Sequence, residues 1–191
     1  MEVFHKIFML KNIYFILLVA LIFPLSECFT QENKGSVLNR DSVIAATREI
    51  IGMQQYCALI TVDSSGLPNV RTMNPYPIEV DMTVWMATNR QSRKAKEIQN
   101  NPNVCVYFAD HKNPSGYVTI NGKAVIIDDK EILVKKKREY WEQAVPDWKN
   151  VLVLIKIVPT KLEVVNYKHG LVGEPITWKS PFIEFEQQET K

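Results

Sequence analysis

The spacing of apolar residues predicts a short helix at the start of the folded region. Between Arg40 and Gly52, four apolar residues recur at helical spacing: Val43, Ile44, Ile50 and Ile51. This pattern places them on one side of an amphipathic helix. Asp41 early in the segment and Gly52 at its end suit the two ends of a helix.

After this helix the pattern becomes typical of strands. The segments rich in β-branched and aromatic residues are Tyr56–Val62, Leu67–Met73, Val80–Thr88, Val104–Ala109, Tyr117–Ile127, Val151–Val158 and Leu162–Tyr167. Residues 63–66, DSSG, separate the first two as a hairpin turn would. Asn121-Gly122 could be a tight turn or a bulge within one strand. We favour the bulge, because the loop at residues 110–116 already reverses the chain.

Two more helices are predicted among these strands. The first runs from about Ser92 to Gln99 and is closed by Asn100-Asn101-Pro102-Asn103. The second runs from Asp128 to Glu142. Its predicted inward-facing residues are Ile132, Leu133, Tyr140 and Trp141. The charge run from Lys135 to Arg138 is interpreted as the solvated face of this helix.

The order of these elements predicts the fold class. Five to seven strands with short connections, and no alternation of strand and helix, favour an antiparallel, mostly β (α+β) barrel-like domain with short flanking helices. The 191 residues are enough for one such core. We place the domain at residues 40–170, after a polar tether at 29–39 and before a C-terminal tail at 171–191.

The first 28 residues have the pattern of an export signal. The apolar run Ile13–Phe23 follows two lysines and is too short to span a bilayer comfortably. Leu25–Cys28 is similar to a lipobox, which would give a lipid anchor at Cys28, although Glu27 departs from that pattern. Simple cleavage after Cys28 and an uncleaved membrane anchor are the alternatives. We therefore expect an exported protein, periplasmic or associated with the cell envelope.

Composition and charge exclude few functions. The chain is 46% hydrophobic and 23% charged, with a net charge of +2, which gives no case for a nucleic-acid partner.

Cys57 and Cys105 lie in apolar runs and are interpreted as buried small side chains, although export would permit a disulfide between them. His111 and His169 lie beside turn-like residues, so no metal site is predicted.

The stretch TNRQSRKAKEI, residues 88–98, carries the candidate chemistry. Ser92 is a good N-cap, yet Arg93 and Lys94 add positive charge to a helix end that is already positive. An anion such as phosphate, bound by the free amides and these cations, would explain them. The alternative is that the long side chains point to water. If the strand with Arg71 and Thr72 paired with Val84–Thr88, both residues would reach the same end of the barrel.

Together these segments resemble the flavin-binding split-barrel family related to pyridoxamine 5′-phosphate oxidase, and within it the smaller general-stress-type flavoproteins. The resemblance covers about Arg40 to Tyr167. Its motifs are Arg71-Thr72-Met73, Trp85-Met86-Ala87-Thr88, Ser92-Arg93-Lys94 and Gly122-Lys123-Ala124.

The resemblance implies an antiparallel split β-barrel with FMN in a cleft between the two subunits of a homodimer. By match to the family, the phosphate would be held by Arg71, Ser92, Arg93 and Lys94. The ribityl chain and isoalloxazine would be lined, largely by backbone groups, by Arg71, Thr72, Met73, Trp85, Met86, Ala87 and Thr88. For one of Trp85 and Met86, plain core packing is the alternative. The resemblance also implies that the oxidases proper recognise pyridoxal phosphate partly with arginine and histidine near the C-terminus. This chain has no arginine after Arg138, so vitamin B6 oxidase activity is not expected.

The sequence leaves three functions open. The first is an FMN-dependent oxidoreductase of unknown substrate, in which the flavin does the redox chemistry and no side chain can be assigned as acid or base. The second is an exported module that binds flavin or haem without turnover. The third is an exported interaction protein whose barrel holds no cofactor.

Overall fold

One helix precedes a single antiparallel sheet, and the other helices lie at the connections between its strands. A computed structural model describes residues 39–112 and 114–186 of the chain. The helices in this part are α1 (Arg40–Gly52), α2 (Arg93–Asn100), α3 (Lys130–Lys135), α4 (Trp141–Ala144) and α5 (Trp148–Val151), with a 3₁₀ turn at Tyr167–His169. The strands are β1 (Cys57–Val62), β2 (Pro68–Met73), β3 (Val84–Asn89), β4 (Asn103–Ala109), β5 (Gly116–Ile127), β6 (Leu152–Asn166) and β7 (Phe182–Glu184).

The sheet is a curled half-barrel with β5 and β6 as its two long central strands. The strand order is β2-β1-β4-β5-β6-β3, and β7 adds to β6. β6 is 15 residues long, so its first half pairs with β3 while residues 161–163 pair with β7. The predicted fold class and the hairpin of β1 and β2 are confirmed.

The predicted bulge in β5 is also confirmed. The register of β5 against β6 shifts between Asn121 and Gly122, and the strand continues on both sides. Gly122 lies opposite Pro159, which is tolerated inside β6 because the ladder is already irregular there. A side chain at position 122 would bring a Cβ to 2.4 Å from the carbonyl oxygen of Val158, so only glycine fits. The two segments predicted on either side of Pro159 are thus one strand.

Two apolar clusters lie on opposite faces of β3 and β6. The barrel interior contains α1 residues such as Val43 and Ile50 together with inward-facing strand residues, among them Met86. The outer cluster is small and rich in tryptophan: Trp85, Leu133, Trp141, Trp148, Leu152 and Leu154. Successive side chains of a strand point to opposite faces, which is why neighbouring Trp85 and Met86 belong to different clusters.

The predicted helix from Asp128 to Glu142 is wrong. The chain forms α3 and then turns before the single-turn helix α4. As a result Trp141 is buried at 2% exposure, whereas Tyr140, predicted to face inward, is 51% exposed. The apolar spacing resembles that of one helix, but the chain turns after Lys135 and the residues of the turn make side-chain contacts of their own.

The charge run in this turn is more than a solvated face. The ammonium group of Lys136 lies 4.3 Å from the ring centroid of Trp85. The guanidinium of Arg138 donates to the carbonyl oxygens of Asn74 and Pro75, at 3.1 and 2.8 Å. These contacts fasten the outer cluster to the connection between β2 and β3.

β3 begins at Val84, four residues later than the predicted start at Val80. The carboxylate of Asp81 accepts hydrogen bonds from the amide and the hydroxyl of Thr83. The backbone of Met82 has a φ of 69°, which is incompatible with a strand. The residues before Val84 therefore form a turn.

Several predictions concern residues outside those that the structure describes. They are the signal segment at 1–28, the anchor at Cys28, the tether up to residue 38 and the last residues of the tail. Within residues 39–112 and 114–186, no helix is long and apolar enough to cross a membrane. In the same part of the chain Cys57 and Cys105 are free thiols, and Cys57 is buried while Cys105 is only partly buried. Burial raises the pKa of Cys57 to about 12, so its thiol stays protonated.

Candidate functional site

The junction between β3 and α2 forms the base of the candidate site. Ser92 is the N-cap of α2, and its hydroxyl accepts a hydrogen bond from the amide of Ala95 at 3.4 Å. Its own amide donates to the carbonyl of Asn89 at 3.0 Å, which makes the turn after β3 tight. The next amides, of Arg93 and Lys94, have no acceptor within the part of the chain that the structure describes. They are free to bind an anion at the positive end of the helix.

Lys94 is a half-buried cation without a carboxylate partner. Its ammonium donates to the hydroxyl of Thr88 at 3.0 Å, and that oxygen lies 3.2 Å from the hydroxyl of Ser92. None of the described carboxylates forms an ion pair with Lys94. Burial, followed by the charge of Arg71, lowers the pKa of Lys94. A bound anion would relieve both effects.

Arg71 reaches the start of α2 from β2. The cluster of polar side chains at this helix start consists of Thr61, Arg71, Thr88, Ser92, Arg93, Lys94 and Glu97. Its side chain is 16% exposed, and Nη2 lies 2.9 Å from Oε2 of Glu97 on α2. Nη1 donates to the hydroxyl of Thr61 on the neighbouring strand β1. Arg71 is therefore held on its buried side by two groups on two different elements.

Strand pairing is not what brings Arg71 to the helix start, contrary to the sequence-based expectation. β2 and β3 lie at opposite ends of the strand order and do not pair. α2 follows directly from β3 and packs against β1, the neighbour of β2. The helix also contacts β5, so it carries the chain from the end of β3 to the side of the sheet where β1 and β2 lie.

Glu97 and Thr61 are the two residues of this cluster that sequence reasoning missed. Glu97 is 5% exposed, and its Oε1 lies 3.2 Å from Nε of Arg93, an ion pair without hydrogen-bond geometry. Its position four residues after Arg93 was a possible signal, because such residues share a helix face. Thr61 gave no signal, since nothing local links it to α2.

The pKa of Glu97 is lowered in spite of its burial. Burial alone raises this pKa, but the hydrogen bonds from Thr61 and Arg71 and the charges of Arg71 and Arg93 outweigh it. Glu97 is therefore ionised at neutral pH. The three cations Arg71, Arg93 and Lys94, less this one carboxylate, leave an excess of two positive charges.

The remaining predicted residues lie around this cluster in different environments. Met86 is fully buried in the barrel core and Trp85 is 7% exposed in the outer cluster, so both side chains are core residues. Ala87 is half-buried against the outer cluster, and Met73 is half-buried against the barrel core. Thr72 is exposed on β2.

One edge of β3 pairs with no strand and has backbone groups available for further hydrogen bonds. β3 pairs with β6 on one side only. On the other side the carbonyl of Trp85 accepts a hydrogen bond from the amide of Tyr76 at 2.9 Å. Backbone groups of alternate residues point to the same edge, so the amide and carbonyl of Ala87 also face this opening.

The described residues contain no candidate metal site in addition to this anion site. Among them, no group of three or more His, Cys, Asp or Glu side chains is arranged to bind a metal ion. His169 lies 2.6 Å from the carboxylate of Glu49, and the ring of His111 lies 6.1 Å from that of Tyr107. The chemistry that this arrangement supports is the binding of an anion beside an open strand edge.

Comparison with known proteins defines the class to which this fold and site belong. The model of the family described as pyridoxamine 5′-phosphate oxidase matches residues 43–166, and the chain belongs to this family. The resemblance stated from the motifs is thereby confirmed.

The similar proteins include both stress proteins and oxidases. General stress protein 26 of Bacillus subtilis (strain 168) is 28% identical over 139 residues, which cover 68% of this chain and 92% of that protein. The pyridoxine/pyridoxamine 5′-phosphate oxidase of Agrobacterium fabrum (strain C58) is 32% identical over 108 residues, which cover 56% of this chain and 50% of that protein. The crystal structure of General Stress Protein 26 from Bacillus anthracis str. Sterne has a TM-score of 0.58 at 26% identity and covers 75% of this chain and 98% of that one.

Proposed function

We propose that this protein binds FMN and acts as a flavin-dependent oxidoreductase. Members of its family typically bind a flavin or a related ligand. The residues of the cluster fit the phosphate of FMN in particular, because a phosphate monoester carries close to two negative charges at neutral pH. Arg71, Arg93 and Lys94, balanced in part by Glu97, supply a matching excess of positive charge.

Lys94 is the observation that carries the proposal. A half-buried ammonium whose pKa is lowered by burial and by neighbouring arginines is unfavourable in an empty site. The free amides of Arg93 and Lys94 point to the same helix end. Charge-assisted hydrogen bonds from all these donors would hold a phosphate with its oxygens fully bonded.

The edge of β3 supports a place for the flavin ring. The backbone groups of Ala87 offer one donor and one acceptor, which suit the polar edge of an isoalloxazine. Met86 and Trp85 support this edge indirectly, because their buried side chains pack on the two faces of β3 and hold the strand in place. When bound, the flavin would supply the electron-transfer chemistry.

One observation keeps binding without turnover as the second candidate. Glu97 is ion-paired with Arg71 and Arg93, Lys94 donates to Thr88, and neither His111 nor His169 joins them, so no described side chain of the cluster stands out as a catalytic acid or base. Oxidation of a nicotinamide donor by the FMN-loaded protein, measured against an acceptor, separates the two candidates. Reduction of bound flavin supports the oxidoreductase, and a spectrum unchanged by every donor supports the binding module.

Replacing Lys94 by glutamate is expected to weaken FMN binding by about 100-fold, since a charge-assisted contact becomes a repulsion. The measurement is a fluorescence titration of the purified protein with FMN. The matched control is Lys96→Glu, because Lys96 is exposed on the same helix and outside the cluster. Equal affinities for FMN in the two variants would contradict the assignment of Lys94 to the phosphate.

We also propose that the functional unit is a homodimer, as the resemblance implies. Large apolar side chains are exposed near the cluster on the β1–β2 hairpin, with Leu67 and Val70 each 64% exposed. A second copy of the chain would cover them. Sedimentation equilibrium is expected to give the mass of a dimer at micromolar concentration, and a monomer mass would contradict this proposal.

A further inference from the structure

Glu97 is a carboxylate inside a site that otherwise suits an anion. Its side chain is 5% exposed, and its Oε2 accepts hydrogen bonds from Arg71 and Thr61. Its Oε1 is buried and has no hydrogen-bond donor among the described residues, although Arg93 lies 3.2 Å away. Removing a carboxylate from water is costly unless cations compensate it, and both arginines do so here.

The same two arginines are the groups that a phosphate would need. An arginine has donors on several sides, and Arg71 uses one Nη for Glu97 and the other for Thr61. Arg93 is 71% exposed and approaches Glu97 through Nε, which leaves its Nη groups free. A bound phosphate would therefore share both guanidinium groups with Glu97 and be repelled by its charge.

Lys94 differs from the two arginines. Its ammonium bonds only to the hydroxyl of Thr88 among the described groups and forms no ion pair with a described carboxylate, so Glu97 favours its charged form only from a distance. When no anion is bound, Glu97 thus offsets the repulsion among the three cations through its ion pairs with Arg71 and Arg93, while the ammonium of Lys94, which has no ion pair with a described carboxylate, remains available to bind the anion. This division of roles links the stability of the empty protein to the affinity for its ligand.

We propose that Glu97 is an internal counter-ion of the anion site. It keeps the cations together when no ligand is bound, and it weakens the binding of the phosphate so that the ligand exchanges reversibly. This inference rests on the proposed function, because it takes a flavin phosphate as the ligand. Glu97 acts through the arginines and is a positioning residue.

The decisive variant is Glu97→Gln, which removes the charge and keeps an amide oxygen to accept from Arg71 or Thr61. We expect the dissociation constant for FMN to fall by about tenfold, since a nearby like charge is removed. The dissociation constant for riboflavin, which lacks the phosphate, is expected to stay unchanged. The empty variant should also unfold at a lower temperature than the wild type. Glu97→Asp retains the charge and is expected to bind FMN like the wild type.

The outcomes distinguish this inference from the proposed function. If the wild type binds FMN and Glu97→Gln has the same or a weaker affinity, the counter-ion role is wrong. A variant that fails to fold even with saturating FMN also overturns it, because Glu97 would then be needed for the architecture alone. A variant that folds only with FMN supports it. If the wild type binds no flavin, the proposed function fails, and inorganic phosphate becomes the probe for the role of Glu97. Greater thermal stabilisation of Glu97→Gln than of the wild type by phosphate supports the counter-ion role. Equal stabilisation of the two proteins overturns it.

Discussion

Replacing Arg71 by alanine is expected to abolish FMN binding at micromolar concentrations and to destabilise the protein by about 3 kcal/mol at neutral pH. The loss of affinity follows from the removal of charged donors to the phosphate. The loss of stability follows from Glu97, whose buried carboxylate loses its closest cation, and breaking a buried ion pair on one side is strongly destabilising. Urea unfolding at pH 7 and a flavin titration measure the two effects.

A double variant separates the charge of Glu97 from other effects of the substitution. Arg71→Ala combined with Glu97→Gln leaves no uncompensated buried carboxylate, so we expect it to recover much of the lost stability. Arg93→Ala is the matched control for Arg71→Ala. Its effect on stability is expected to be smaller, since Arg93 is 71% exposed and its ion pair with Glu97 is screened by solvent. A double variant as unstable as Arg71→Ala would show that Arg71 stabilises the protein mainly by packing.

The stability difference between the wild type and Arg71→Ala should also depend on pH. In the wild type the pKa of Glu97 is lowered on folding, so its ion pairs stabilise the protein above the unfolded-state pKa of glutamate. This contribution is lost as the pH falls through the folded-state pKa. In the variant, protonation of Glu97 removes the buried charge, so the two proteins should converge in stability at acidic pH. A difference that stays constant with pH would contradict this account.

Replacing Trp141 by alanine is expected to lower the free energy of unfolding by about 4 kcal/mol, the usual cost of truncating a buried tryptophan. Trp141 is 2% exposed, and its ring centroid lies 5.6 Å from that of Trp148. Trp141 is the largest fully buried side chain of the outer cluster, so its truncation leaves a large cavity there. Because Trp85 belongs to the same cluster, the edge of β3 should also become less rigid.

Tyr140 gives the matched control for this prediction. It is the adjacent residue and also aromatic, but it is 51% exposed. Tyr140→Ala is therefore expected to change the stability by less than about 0.5 kcal/mol, as is usual for exposed positions. Equal destabilisation by the two substitutions in urea unfolding would mean that the outer cluster is not a core.

Much of the fold followed from local sequence patterns. The bounds of α1 were predicted from helical periodicity, the β1–β2 hairpin from its turn residues, and the bulge in β5 from Asn121-Gly122. The N-cap at Ser92 was predicted as well. These features depend on residues within a few positions of one another, and therefore the sequence contains their signals in readable form.

Tertiary structure decided what local patterns could not determine. The helix predicted from Asp128 to Glu142 ends at Lys135, because the following residues contact Trp85 and the β2–β3 connection through Lys136 and Arg138. Such contacts are invisible to a periodicity that considers one segment at a time.

The sequence by itself determined the family and the cations of the candidate site, because their residue types and order are unusual for a helix start. Only the tertiary structure joined them through Glu97 and Thr61. Arg71 is 26 positions from Glu97 along the chain, and Thr61 is 36 positions from it. Ion pairs and hydrogen bonds over such separations depend on how the half-barrel curls and where α2 packs against it. The balance of charge in the site is therefore a property of the folded chain.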